Sequence, residues 1–120
     1  MASEFGEVLA DLVGGTPGAL GAVFIDWEGE SVDQFGHIPE WDIRIMGAHW
    51  GIILNQVKTI TERHGLGLPR SIMLSNEQSD VIIRTITEDY CVVLTLRKGA
   101  HLATALRELD RAANLIEAMM

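Results

Sequence analysis

Residues 70–97 read RSIMLSNEQSDVIIRTITEDYCVVLTLR, and the punctuation of this stretch decides the fold. Three apolar runs, at 70–76, 80–86 and 90–97, are separated by Glu77-Gln78-Ser79 and Thr87-Glu88-Asp89. Parallel strands need a crossover of roughly a dozen residues or more, usually helical. These connections are too short for that, so the runs predict an antiparallel meander. In the last run Tyr90, Val92, Leu94 and Leu96 share one face, and Cys91, Val93, Thr95 and Arg97 the other, because side chains alternate along a strand. Both sets are at least partly apolar, which predicts a sheet covered by helices on both sides.

Toward the N-terminus, Gly65 to Pro69 reads as a loop, and before it residues 39–64 form the longest helical pattern in the chain. Pro39 suits a first helical turn, Glu40 and Asp42 complement the positive end of the helix dipole, and Gly65 ends the pattern. Met46, Trp50, Ile53, Val57 and Ile60 make one stripe, which Ile45, Ala48, Ile52 and Gln56 widen. This is more apolar surface than one sheet-facing stripe requires. It is either a broad core face or a surface with a surplus for a partner.

Further upstream, 19–27 is apolar on both alternating sets until Asp26 and predicts a strand between two layers. Glu28-Gly29 makes a tight turn, and the more polar 30–35 predicts an edge or near-edge strand that ends at Gly36. Residues 3–13 predict a short first helix with Ser3 as its N-cap and Phe5, Val8, Leu9 and Leu12 at helical spacing, stopped by Gly14-Gly15-Thr16-Pro17-Gly18. Downstream, Leu102, Leu106, Leu109, Ala113 and Ile116 place a closing helix over 100–118. The chain is thus read as α/β, of the α+β type. It predicts a five-stranded, mostly antiparallel sheet flanked by helices, ordered helix-strand-strand-helix-strand-strand-strand-helix, in a single domain over 1–120.

The composition suits a folded domain, with 48% hydrophobic and 22% charged residues. Seventeen acidic against nine basic residues give a formal net charge of -8, which opposes nucleic-acid binding, and Arg97-Lys98 is the only adjacent basic pair. The single Cys91 cannot form an internal disulfide and fits a reducing compartment. Met1-Ala2-Ser3-Glu4 does not resemble the start of a secretory signal, and no apolar run reaches the roughly 18 residues of a membrane span. A cytoplasmic location without direct membrane insertion is the expectation.

Catalytic patterns are not legible. The glycine-rich 14–18 follows a helix, precedes a strand and lacks the lysine of a phosphate-binding loop. His37, His49, His64 and His101 are scattered without metal-ligand spacing, so surface or helix-cap roles are expected. Glu88 and Asp89 diverge on a tight hairpin, and Ser75 and Ser79 lack an elbow motif. Cys91 in a central strand is expected to be buried and inert. No enzyme activity, cofactor or metal is therefore expected.

The stretch PGALGAVFIDWEGES at 17–31, with the later meander and the Leu102, Leu106, Leu109, Ala113 helix, resembles the Roadblock family over essentially the whole chain. That family includes dynein light chains and bacterial MglB-like regulators of small Ras-like GTPases. Ala100-His101-Leu102-Ala103 departs from the small, polar opening usual for its last helix. The resemblance implies self-association as a homodimer, or a heterodimer, with sheets joined across the interface and middle helices side by side. It also implies a non-catalytic platform for a small Ras-like GTPase, the alternative being a structural adaptor or light-chain subunit of a larger complex. On the middle helix, Met46, Trp50, Ile53 and Val57 are the expected apolar interface positions, and His49, Asn55, Gln56 and Lys58 the polar rim.

Overall fold

The computed structural model describes residues 3–120. Its elements are α1 (Glu4–Gly14), β1 (Ala19–Asp26), β2 (Ser31–Gly36), α2 (Glu40–Arg63), β3 (Ser71–Ser75), β4 (Ser79–Thr87), β5 (Tyr90–Arg97) and α3 (Leu102–Met119). The order along the chain is the one expected, with boundaries shifted by one or two residues. The five strands form one sheet ordered β2-β1-β5-β4-β3, and every neighbouring pair is antiparallel. The meander supplies β5-β4-β3, the N-terminal hairpin supplies β2-β1, and the two halves meet where Ile25 faces Cys91 and Val23 faces Val93.

Local chemistry sets the ends of these elements. The Ser3 hydroxyl accepts from the Gly6 amide at 3.2 Å, capping α1, and also donates to the Asp33 carboxylate on β2, which ties the helix start to the sheet. Asp26 closes the β1–β2 turn by accepting from the Glu28 and Glu30 amides at 2.9 and 3.0 Å. At the start of α3, His101 is the N-cap, its ring nitrogen Nδ1 accepting from the Thr104 amide at 3.2 Å. The departure at Ala100–His101 thus replaces a small polar cap with an imidazole that performs the same task.

Alternation along the strands divides the core in two. Ala22, Phe24, Ile82, Val92, Leu94 and Leu96 face α1 and α3, where they meet Leu9, Leu12, Leu109 and Ile116. Phe24 lies edge-on to Phe5, with ring centroids 5.0 Å apart, and tilted against Tyr90 at 5.4 Å. Val23, Ile25, Val81, Ile83, Cys91 and Val93 face the other way, toward Ile43 and Leu54 of α2.

Candidate interaction surface

The side of α2 that meets the sheet is not the stripe with the largest side chains. Its buried residues are Ile43, Gly47, Gly51 and Leu54, spaced four, four and three apart and therefore on one helical face. At Gly47 a Cβ would stand 2.8 Å from Val23 Cγ1 and 3.0 Å from Ile25 Cγ2; at Gly51 it would stand 3.1 Å from both the Gly29 Cα and Ile25 Cδ1. The helix backbone lies directly on β1 because two glycines let it approach. The Gly47-x-x-x-Gly51 spacing was present in the sequence, but weighting by hydrophobic size passes over residues whose contribution is the absence of a side chain.

Close approach by backbone turns the bulky residues outward. Trp41 is 66% exposed and Ile52 55% exposed; Ile45, Ile53 and Ile60 are exposed too. Met46, Trp50 and Val57 are half-buried along the flank, Trp50 packing against the cluster that also receives Ile72 and Leu74 of β3. His49 and Gln56 are exposed on α2.

Asn55 and Lys58 are engaged elsewhere. Asn55 Nδ2 donates to the Trp27 carbonyl at 2.7 Å, and Lys58 Nζ donates to the Glu88 carbonyl at 2.6 Å. Those carbonyls belong to the β1–β2 and β4–β5 turns, so the pair clamps α2 across two hairpins. On a helix advancing by about 100° per residue, they fall on the flank opposite Met46, Ile53 and Val57. The eight expected interface positions are consequently divided: six lie on the apolar flank and outer face, and two anchor the helix.

At the sheet margins, α1 and α2 both pack on β2, whereas β3 rests chiefly on β4. The outer backbone edge of β3 has no neighbouring strand among the described residues.

Solved structures share this architecture from end to end. A Roadblock/LC7 domain from Streptomyces avermitilis superposes with a TM-score of 0.86 at 16% identity, covering 94% of each chain. Myxococcus xanthus MglB gives 0.86 at 11% identity, covering 98% of this chain and 97% of its own. The gliding protein MglB from Thermus thermophilus gives 0.83 at 17% identity, over 95% and 86%. The fold is that of a Roadblock/LC7 domain. Neither a family model nor a curated protein sequence matches the chain.

Within this Roadblock/LC7 fold, Cys91 lies buried beneath α2, and burial pushes its thiol up to about 12, with the nearby Lys58 charge pulling slightly the other way. Such a thiol is neutral at physiological pH and a poor nucleophile. Among the described residues no group of three or more His, Cys, Asp or Glu side chains could hold a metal ion, and no helix is long and apolar enough to cross a membrane.

Proposed function

We propose that this chain is a non-catalytic, self-associating platform for a small Ras-like GTPase, using α2 and the β3 edge to pair with a second copy. One observation carries the reading: α2 approaches its own sheet through glycines and presents tryptophan and isoleucine outward. Exposed large apolar side chains clustered on one helix are the signature of an association surface, whereas scattered ones need no explanation. Pairing of two β3 edges would satisfy open backbone groups and continue the sheet, and would bring Met46, Trp50, Ile53, Val57 and Ile60 against their counterparts. Trp41, Ile45 and Ile52, with His49 and Gln56 beside them, would remain on the outer face of the helix layer for the GTPase. The likeness to MglB structures supports this arrangement, as does the whole-chain resemblance in sequence pattern.

Light scattering on the purified chain tests the pairing. The expected mass is twice 13.2 kDa, and Ile53→Glu with Ile60→Glu should return it to the monomer without loss of helicity. A concentration-independent monomer of the unmodified chain would sink the reading. The partner is tested by recovering a GTPase from native lysate, purifying it, and titrating it in its GDP-bound and GTP-analogue-bound forms. Equal affinity for both forms would remove the regulatory role and leave that of an adaptor.

A further inference from the structure

We propose that the cleft between α3 and the β3–β4 hairpin, on the face of the sheet opposite α2, binds an acidic peptide segment that carries an apolar anchor. α3 packs over β4 and β5 and stops short of β3. The α3-side face of β3 is therefore uncovered, with Met73 49% exposed beside it. The resulting cleft of about 340 Å³ has Ile82 and Leu109 in its floor, and Leu106, 43% exposed, in its wall.

Its charge is the reverse of the chain's. Arg70, Arg84 and Arg107 line it against the single carboxylate of Asp110, on a protein whose formal net charge is -8. Arg84 is already held: its Nε and Nη2 donate to Asp110 Oδ1 at 3.2 and 2.8 Å, and its Nη1 donates to the Thr85 carbonyl. This neutralises Asp110 and fixes the guanidinium at the cleft margin. Arg70 forms no ion pair among the described residues. Among the described residues Arg107 pairs only with Glu108, at 3.8 Å, and that carboxylate also serves Arg111 at 3.4 Å. Two guanidiniums are thus free to take carboxylates in the bidentate manner that suits arginine.

A second cleft of about 240 Å³ shares Arg70 and Arg84 with the first and runs on past Leu68 and Pro69 to Asn114 and Glu117. From Leu106 to Glu117 the helix rises roughly 16 Å at about 1.5 Å per residue, the length of about five residues of extended chain. Glu117 makes the far end acidic, so the ligand's carboxylates belong at the Arg70 and Arg107 end and its apolar residue against Leu106 and Met73.

An array of eight-residue peptides tests this, with Asp or Glu alternating with Leu or Phe in permuted order, a matched array carrying Lys for every acid, and a single-stranded oligonucleotide. Each is titrated by fluorescence anisotropy against the unmodified chain, Arg107→Glu and Arg70→Glu. Acidic members should bind, weaken with rising salt, and lose at least tenfold in affinity in either variant, while Ile52→Glu on the outer face of α2 leaves them unchanged. That last arm separates this cleft from the surface proposed above. Equal binding of the Lys array, preference for the oligonucleotide, no binding by any acidic member, or variants that melt normally yet bind fully would each overturn the proposal.

Discussion

The two faces of the sheet are built by opposite means. On one, α1 and α3 bring leucines and alanines to meet Phe24, Ile82 and Leu94, and Leu9, Leu12, Leu109 and Ile116 are buried in the core, while Leu106 and Leu115 stay exposed. On the other, a helix of 24 residues arrives through Gly47 and Gly51, and Trp41, Ile45, Ile52, Ile53 and Ile60 stay exposed. Area removed from water stabilises a fold in rough proportion to its apolar content, about 25 cal/mol per Å². A helix that packs by leucine therefore contributes most to its own domain, and one that packs by glycine keeps its apolar area for something else. The difference separates a face that buries most of its large side chains in the core from one that leaves several exposed, which is the face we propose for association.

The largest expected effect follows from that contrast. Leu109→Ala removes a fully buried side chain between α3 and the sheet and should lower unfolding stability by about 3 kcal/mol, in the range of large-to-small core replacements. Ile52→Ala, on the outer face of α2, should change it by less than about 0.5 kcal/mol. Urea unfolding of both variants at one protein concentration measures the pair. Similar losses would mean that the outer face of α2 is core after all, and the comparison would fail.

A smaller effect probes how α2 is seated. Gly47→Ala improves helix propensity by about 1 kcal/mol, yet its Cβ would meet a buried, β-branched Val23 at 2.8 Å. Neither a valine methyl nor the strand behind it moves aside freely, and overpacking of this kind costs about 1–3 kcal/mol. The net expectation is a loss of about 1 kcal/mol. Gly14→Ala, where nothing lies within 4 Å of the added carbon, serves as the control and should be neutral or mildly stabilising. A thermal melt in which both substitutions stabilise would show that α2 does not ride on its glycines.

This pair also marks where the sequence was legible. Alternation in 90–97 and three-residue connections were enough to derive β3, β4 and β5, because hydrophobic periodicity and chain reach act locally. The helix stripe was legible only as a surplus. Met46, Trp50 and Ile53 stand out by size, whereas the true sheet contact depends on how near two backbones come, which is a property of the packed pair. The clamp by Asn55 and Lys58 is similar: both look like solvated rim residues until the turns at Trp27 and Glu88 are placed beside them. The division of arginines into a cleft opposite α2 needed the tertiary fold outright, since Arg70, Arg84 and Arg107 are far apart along the chain.

The smallest expected effect lies at the corner where the closed face gives way to the open β3 edge. There Asp80, 4% exposed, accepts from Lys98 Nζ at 3.1 Å, and the same ammonium donates to Ser75 Oγ of β3 at 2.9 Å. The Lys98 hydrogen bond holds the Asp80 carboxyl below its ordinary 3.8, against the opposing effect of burial, with the Lys98 charge and hydrogen bonds from Ser75 and Asn76 adding to it. A carboxylate whose folded value is depressed stabilises the fold fully above its unfolded value and loses that contribution as pH falls through the folded one. Asp80→Asn should therefore be less stable than the unmodified chain at pH 7, and the two should converge as pH falls below 3.8 and through the depressed folded value, where the native carboxyl is protonated too. Because the pair joins β5 to β3 through β4, the loss should first appear as faster amide exchange in 71–75, with 90–97 unaffected. Cys91, the buried thiol of the α2 face, stays neutral over this whole range, because burial raises it to about 12. Stability curves for the two proteins that run parallel from about pH 7 to about pH 2.5 would show that the β3 corner is held by packing, as the rest of that face is, and that the ion pair is incidental.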